Sequence, residues 1–351
     1  MKKIRLGKSE LMVSRVGMGG IPITRPPLEE AIKIVNKALD LGVNFIDTAA
    51  GYSTSEERIG QAIEGRREEV ILTTKSGPTA KEPAEKTLAR SLKRLRTDYL
   101  DLWQFHGINS MKDYEEIVAP GGAYEVALEA LDDGRIRHIG FSSHSLEVAL
   151  KLVPTGYFEV IQFPFNFISR EPADELIPLA KKHDVGFIGM KPFAGGMIKD
   201  ANLAIKYVLQ QENVVPDPGI EKISDIAEII DVVNGSWKLS GEEREEIEKI
   251  YAQTGNRFCR QCEYCGPCPN GVIIHGLMYL QHLYELWPPE RFFTWQYVLD
   301  SVESGHNCTQ CGLCEPKCPY NLPIREMIQE KLAYYEAKAE EHADLISSLN
   351  F

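Results

Sequence analysis

The chain has 351 residues, 43% of them hydrophobic and 26% charged, and its 39 basic and 51 acidic side chains leave a net charge of −12. That balance repels a phosphate backbone on average and argues against nucleic-acid binding. Met1 to Val16 is charged, with no apolar signal-peptide core, and no apolar run approaches the roughly 18 residues of a membrane span, so a cytoplasmic protein is expected.

Lys2 to Arg15 precedes the first strand signal and reads as two short halves around Gly7-Lys8, a hairpin. From Val16 to Val233 strand and helix signals alternate. Short apolar or β-branched runs stand at Val16–Gly20, Val43–Asp47, Val70–Lys75, Leu100–His106, Ile136–Ser142, Val160–Phe163, Gly186–Met190 and Asn213–Val215. Helical spacing fills the intervals, as at Leu28–Leu41, Lys86–Leu95, Tyr124–Leu131, Glu147–Val153, Asp174–His183 and Leu203–Gln211. Gly42 and Gly134 follow helices where a left-handed cap belongs. Strands that alternate with helices imply a parallel sheet, and eight of them close a barrel of about 250 residues, with the N-terminal hairpin placed to plug its bottom. A doubly wound open sheet is the competing architecture. The expected class is therefore α/β: a (β/α)8 TIM barrel over residues 1–235, followed by a small second domain. Ser240-Gly241-Glu242-Glu243 reads as a capping box that opens a polar helix to about Ala252. With Thr254-Gly255-Asn256 it makes a linker over 236–255, and residues 256–351 form the second domain.

Four polar residues fall where a barrel keeps its chemistry. Asp47, Lys75 and His106 end the second, third and fourth strands, and Tyr52 lies in the loop after Asp47. Alone, an Asp or Lys at a strand end is commonly a cap or a surface charge, and an isolated His is commonly a core residue. Together they make a site. A buried Lys75 needs a counter-charge, which Asp47 supplies from the neighbouring strand. Lys75 and His106 beside the Tyr52 phenol are expected to lower its pKa, so that it exchanges a proton near neutral pH.

All eight cysteines lie between Cys259 and Cys318. They fall into Cys259-x2-Cys262-x2-Cys265-x2-Cys268-Pro269 and Cys308-x2-Cys311-x2-Cys314-x3-Cys318-Pro319. Two tight clusters in a chain of this kind read as metal ligation, not as a disulfide scaffold. Three cysteines in seven residues wrap the backbone round one corner of a cube, which suits a [4Fe–4S] cluster better than tetrahedral zinc. The long interval between the groups carries Tyr279, Tyr284, Trp287, Phe292, Phe293, Trp295 and Tyr297. It leaves no room for a short hairpin module, so a helical ferredoxin-like domain is expected, with these aromatics as its core. Pro323 to about Ser347 reads as a closing amphipathic helix.

The run Gly42-Val43-Asn44-Phe45-Ile46-Asp47-Thr48-Ala49, with Tyr52 and Ser55-Glu56-Glu57 after it, closely resembles the signature of aldo-keto reductases. So do Thr73-Thr74-Lys75 and Leu100-Asp101-Leu102 leading to His106. The resemblance covers roughly residues 1–235. It implies an (α/β)8 barrel and a nicotinamide cofactor, usually NADPH, bound without a Rossmann fold; no Gly-x-Gly-x-x-Gly follows a strand here. It further implies that Tyr52 gives a proton to a carbonyl oxygen, that Lys75 and Asp47 tune it, and that His106 orients the carbonyl. Ser142, Gln162 and Asn166 resemble the nicotinamide carboxamide site, and Pro218-Gly219 and Glu228 the adenosine-binding turn and helix. Met190-Lys191 stands where the family usually stacks an aromatic on the nicotinamide. Glu221 beside Lys222 would repel a 2′-phosphate, with Lys222 as its offset. NADP, NAD and flavin therefore all stay open. The trailing Cys-Pro resembles bacterial ferredoxins, in which the fourth cysteine serves the other cluster. That crossover implies two clusters, one on Cys259, Cys262, Cys265 and Cys318, the other on Cys308, Cys311, Cys314 and Cys268.

Nicotinamide delivers two electrons as hydride, whereas a cubane accepts one at a time. Three functions are compatible with that mismatch. The first is a carbonyl–alcohol oxidoreductase that also carries clusters. The second is an electron-transfer enzyme in which flavin or nicotinamide chemistry drains through the clusters to a ferredoxin-like protein. The third is a cofactor-sensing module without turnover.

Overall fold

The computed structural model describes residues 1–349 apart from 256, 262 and 319, with the backbone alone at 286. Asn256, Cys262 and Pro319 thus lie outside the described residues. The chain divides into Met1–Ile247 and Glu248–Phe351, a division that falls within the helix Gly241–Thr254.

Strands β1 (Lys3–Arg5) and β2 (Met12–Ser14) form the expected hairpin, antiparallel with Lys3 opposite Ser14 and Arg5 opposite Met12. An open barrel end would wet the interior, and apolar side chains prevent that here. Leu6 and Val13 are buried against Phe45, Leu102, Val160, Ile188 and Val215, one residue from each of five barrel strands. Gly186 makes room for the plug, because a Cβ there would lie 2.6 Å from the Leu6 carbonyl oxygen.

Eight parallel strands complete the barrel: β3 (Met18–Gly19), β4 (Phe45–Asp47), β5 (Ile71–Ser76), β6 (Leu102–Phe105), β7 (Ile139–Ser142), β8 (Val160–Pro164), β9 (Gly186–Met190) and β10 (Val214–Asp217). Each pairs with the next in chain order. Gly17 N–H donates to the Pro216 carbonyl at 2.9 Å and Gly19 N–H to that of Pro218 at 2.8 Å, which joins the last strand to the first. The architecture is thus the barrel and not the open sheet. Strands β6, β7 and β8 are buried at every residue, as strands sandwiched between core and helices must be. The helices Leu28–Asp40, Lys81–Leu95, Ala123–Asp132, Leu146–Leu152, Leu176–Lys182, Ala201–Leu209 and Ile223–Asn234 coat the outside. Sequence spacing missed two further helices, Ser55–Ala62 and Met111–Val118, both about two turns of mostly polar residues. The last strand also runs past Val215 to Asp217. Pro216 made it look broken, yet the proline carbonyl still accepts from Gly17.

The capping box at Ser240 is present: Glu243 N–H donates to Ser240 Oγ at 3.1 Å, and Ser240 N–H to Glu243 Oε2 at 2.8 Å. In the second unit every regular element among the described residues is helical: Ile274–Leu286, Pro289–Phe292, Gln296–Gly305, Ile324–Glu341 and Ala343–Ser348. Their core gathers Leu277, Leu280, Val298, Ile324 and Ile328 around Phe292 and Phe293. The other aromatics of that interval pack partly buried against it. No helix among the described residues is long and apolar enough to cross a membrane.

Candidate active site and metal centre

Parallel strands of a barrel end at one face, so the last residues of β4, β5 and β6 aim side chains at a common mouth. Asp47 ends β4 and Lys75 stands next to last on β5; both are almost fully buried, at 3% and 1% exposure. A buried ammonium needs a counter-charge and a home for each proton. Lys75 Nζ lies 2.5 Å from each Asp47 oxygen and 2.8 Å from the Thr48 carbonyl. Its three protons are thereby committed.

The loop after β4 is pinned to the next strand by Ala50 N–H, which donates to the Lys75 carbonyl at 3.0 Å, and it delivers Tyr52 to the same mouth. Lys75 Nζ stands 5.2 Å from the centre of the Tyr52 ring. The His106 ring meets it edge-on, with centroids 5.6 Å apart and an interplanar angle of 81°. His106 N–H donates to the Ser76 carbonyl at 2.8 Å, which sets where the imidazole leaves β6. All four expected residues therefore meet.

Their electrostatics differ from the expectation in one respect. Burial first, then Asp47 and Asp217, push the Tyr52 phenol well above its ordinary pKa, not below it. The reason is that Asp47 already takes the Lys75 charge, while His106 supplies none. Burial, then Lys75 and Lys191, hold the imidazole down to about 3, so it is neutral at pH 7. Burial, then Lys191 and His106, push His144 down as well.

Under the mouth lies a polar layer that sequence reading missed in part. Gln104 Nε2 donates to Gln162 Oε1 at 3.1 Å, which fixes how the Gln162 amide faces. Gln162 Nε2 then donates to Asp47 Oδ2 at 3.1 Å and to Asp217 Oδ2 at 3.2 Å. Asp217, at 5% exposure, brings a second carboxyl to the site from the end of β10. The signal for it was a carboxylate two residues past an apolar run, hidden by the intervening proline.

The remaining candidates occupy several places. Ser142 Oγ, at the end of β7, accepts from Gly107 N–H at 2.9 Å. Asn166 organises the turn after β8: its Oδ1 accepts from Ile168 and Ser169 N–H at 2.9 and 2.8 Å, and its Nδ2 donates to the Lys191 carbonyl at 2.9 Å. Met190 ends β9, and Lys191 follows it with φ +57°. Gly219 sits against Pro22, where a Cβ would come within 2.7 Å of the proline ring. Lys222 precedes the helix Ile223–Asn234, on which Glu228 is exposed. Glu221 is not a free anion, because Arg25 Nη1 lies 2.7 Å from its Oε2. Sequence spacing gave no sign of that partner, which comes from the far side of the barrel closure.

In the second unit the two cysteine loops share one backbone pattern. The second and fourth residues after the first cysteine are left-handed in both: Gln261 (φ +63°) and Glu263 (φ +62°) after Cys259, Gln310 (φ +59°) and Gly312 (φ +76°) after Cys308. Non-glycine residues rarely adopt that conformation, and it recurs at the same two places in both loops. Gln261 N–H points at Cys259 Sγ from 3.4 Å, and Gln310 Nε2 at Cys308 Sγ from 3.8 Å. Cys308, Cys311 and Cys314 line one cavity together with Cys268 and Cys265. Pro267, Pro269, Val272, Ile274 and Ile328 wall it, and Lys317 and Arg325 bring positive charge to it. Cys318 is buried in the helical core at 8% exposure. A sulfur-lined hollow with apolar walls and the Lys317 and Arg325 side chains at its edge fits an anionic iron–sulfur cluster.

Comparison with known proteins bears on both units. Residues 15–203 match the model of the aldo/keto reductase family, and residues 258–323 that of a 4Fe-4S dicluster domain. An uncharacterized oxidoreductase of Bacillus subtilis is 32% identical over 217 residues, covering 58% of this chain and 68% of that protein. An NADH-specific methylglyoxal reductase of Escherichia coli is 28% identical over 228 residues, covering 56% and 69% respectively. Among solved structures, the holo form of an aldo-keto reductase from Bacillus halodurans superposes with a TM-score of 0.62 at 28% identity, over 71% of this chain and 96% of that one.

Proposed function

Since this chain belongs to the aldo/keto reductase family, we propose that its barrel is a nicotinamide-dependent carbonyl–alcohol oxidoreductase with Tyr52 as the proton donor. The observation that carries this reading is the meeting of Tyr52, Lys75 and His106 at the barrel mouth, with Lys75 Nζ 5.2 Å and the His106 centroid 5.6 Å from the Tyr52 ring. A phenol pushed above its ordinary pKa is fully protonated at pH 7 and therefore able to give a proton to a developing alkoxide. Neutral His106 donates a hydrogen bond to the carbonyl oxygen without competing for that proton. Lys75 is held by Asp47 5.2 Å from the ring centre, so the phenolate forms beside the ammonium of a neutral pair.

Ser142, the Met190-Lys191 step and the Gly219-Lys222 turn would hold the dinucleotide. Asn166 would act by setting the Lys191 carbonyl, and Gln162 by holding Asp47. When bound, the nicotinamide supplies hydride to the carbonyl carbon. With Arg25 on Glu221, the turn before Lys222 no longer presents a bare anion, which supports NADP as well as NAD. In the second unit Cys308, Cys311, Cys314 and Cys268 would hold one [4Fe–4S] cluster, and Cys259, Cys262, Cys265 and Cys318 the other.

A second reading, electron transfer to a ferredoxin-like partner, is favoured by the exposure of Cys311 and of the neighbouring Leu313 at 57%. It needs a flavin or a comparable two-to-one electron splitter in the barrel. Anaerobic assays of the full chain with NADH, NADPH and a panel of small aldehydes and ketones test the first reading. Cofactor oxidation that depends on the carbonyl and collapses in Tyr52→Phe is expected; unchanged turnover in that variant would overturn it. Bleaching of cluster absorbance by the nicotinamide alone would move weight to the second.

A further inference from the structure

Asp217 is a carboxyl that the reductase chemistry does not call for. Among the described residues no cation pairs with it. The one ammonium nearby, Lys75, gives all its protons to Asp47 and Thr48. The donor that Asp217 does have among those residues is the neutral Gln162 amide, 3.2 Å from Oδ2, and Oδ1 is buried with no protein partner. Oδ1 lies beside Gly17, where an added Cβ would meet it at 2.9 Å and the Phe45 ring at 2.6 Å. The titratable groups facing Asp217 are Asp47, Lys75 and Tyr52. Asp47 and Lys75 already cancel. An ionised Asp217 would add an uncompensated buried charge, whereas a protonated one has a carboxylate beside it to accept, since Asp47 and Asp217 share the Gln162 Nε2 at 3.1 and 3.2 Å.

We propose that Asp217 is a second, protonated carboxyl of the barrel site, a positioning residue that donates its proton to Asp47 and keeps the net charge beneath Tyr52 at zero. This rests on the reductase reading of the barrel. Burial and the neighbouring Asp47 both push the Asp217 carboxyl well above the usual carboxylate range, against the pull of Lys75. The functional consequence is a matter of sign. Tyr52 gains negative charge as its proton leaves for the substrate oxygen, and a second carboxylate below it opposes that charge. Ionisation of Asp217 on the alkaline side therefore weakens the proton donor and sets an upper pH limit on carbonyl reduction.

The test uses the intact protein with its clusters and nicotinamide, compared with Asp217→Asn. The amide keeps the shape, stays neutral and can still donate to Asp47. Turnover at neutral pH is expected to stay within about threefold of the parent, and the alkaline limb of kcat to move up by about one pH unit or more. Superimposable pH profiles would overturn the role. Infrared difference spectra supply a readout that does not need activity: a protonated-carboxyl band at neutral pH, absent from Asp217→Asn and lost from the parent with the midpoint of the alkaline limb. Absence of that band from the parent at neutral pH overturns the proton itself. An inactive parent overturns the reductase reading and the positioning role with it, and the band then still decides whether Asp217 carries the proton.

Discussion

His106 and Tyr52 stand edge to face, 5.6 Å between centroids, and the imidazole makes that contact as a neutral group. Its ordinary value of 6.5 is lowered to about 3 in the fold. The unfolded chain thus binds a proton that the folded chain refuses as the pH falls between those values. Stability conferred by neutral His106 is full above pH 6.5 and is lost progressively as the pH drops toward about 3. One such proton gives a slope on the order of 1 kcal/mol per pH unit, and His144 adds to it in the same direction. Urea melts across this range should show a shallower slope in His106→Asn than in the parent; equal slopes would place the imidazole in water.

Tyr52→Phe removes the proton and leaves the ring. Reduction of a reactive aldehyde is expected to slow by about 10² to 10⁴, with the thermal midpoint unchanged because the ring still packs on His106. Binding of the dinucleotide, followed by fluorescence, should be unaffected within about twofold. A parallel loss of binding would indicate a structural role for the hydroxyl.

Lys75→Met leaves Asp47 buried beside Asp217 with no cation between them. Breaking a buried pair in this way costs about 3–5 kcal/mol. The remaining carboxyls can take up a proton, so the loss should shrink as the pH is lowered toward 5. Denaturant midpoints at pH 7.5 and 5 check this, the expected gap from the parent being larger at the higher value. A gap independent of pH would mean that Asp47 finds another counter-charge.

The barrel was legible because its strands are continuous apolar runs and its helices carry a 3.6-residue stripe, from Leu28–Asp40 to Ile223–Asn234. The tetrad was legible because each member sits at the end of such a run or soon after one. Three features escaped for physical reasons. Asp217 lies behind Pro216, which reads as a strand break although its carbonyl still pairs. Arg25 and Glu221 are almost two hundred positions apart, and only barrel closure brings them together. The direction of the Tyr52 shift is set first by burial of the phenol and then by Asp47 and Asp217, and residue order encodes neither that burial nor the arrival of Asp217.

The cavity shared by Cys268 with Cys308, Cys311 and Cys314 tests the crossover. Cys311→Ser is expected to lower the iron content of the anaerobically purified chain from about eight to about four atoms, and Cys268→Ser to do the same. If both cysteines serve one cluster, the double variant keeps about four iron atoms. If each serves its own, the double variant loses nearly all iron. The barrel assay should survive every one of these changes, since no tetrad residue is altered.

Arg25 bears on the choice of cofactor. Its Nη1 lies 2.7 Å from Glu221 Oε2, in the turn that precedes Lys222. A 2′-phosphate brought to this turn meets a neutralised Glu221 and the Lys222 ammonium. Without Arg25 it meets Glu221 as a bare, part-exposed carboxylate. NADH carries no such phosphate and feels the change weakly. Arg25→Ala should therefore raise KM for NADPH by about tenfold and for NADH by at most about twofold, since a part-exposed charge is worth on the order of 1 kcal/mol. The effect is electrostatic and close to solvent, so raising ionic strength from about 0.02 to about 0.5 M should compress the difference. Glu221→Gln in the same background should restore the NADPH value, because the repelling charge is then gone. Equal shifts for the two cofactors, or no rescue by the glutamine, would place the Arg25–Glu221 pair away from the adenosine ribose and make its role one of tying Gly219 to Pro22 at the barrel seam.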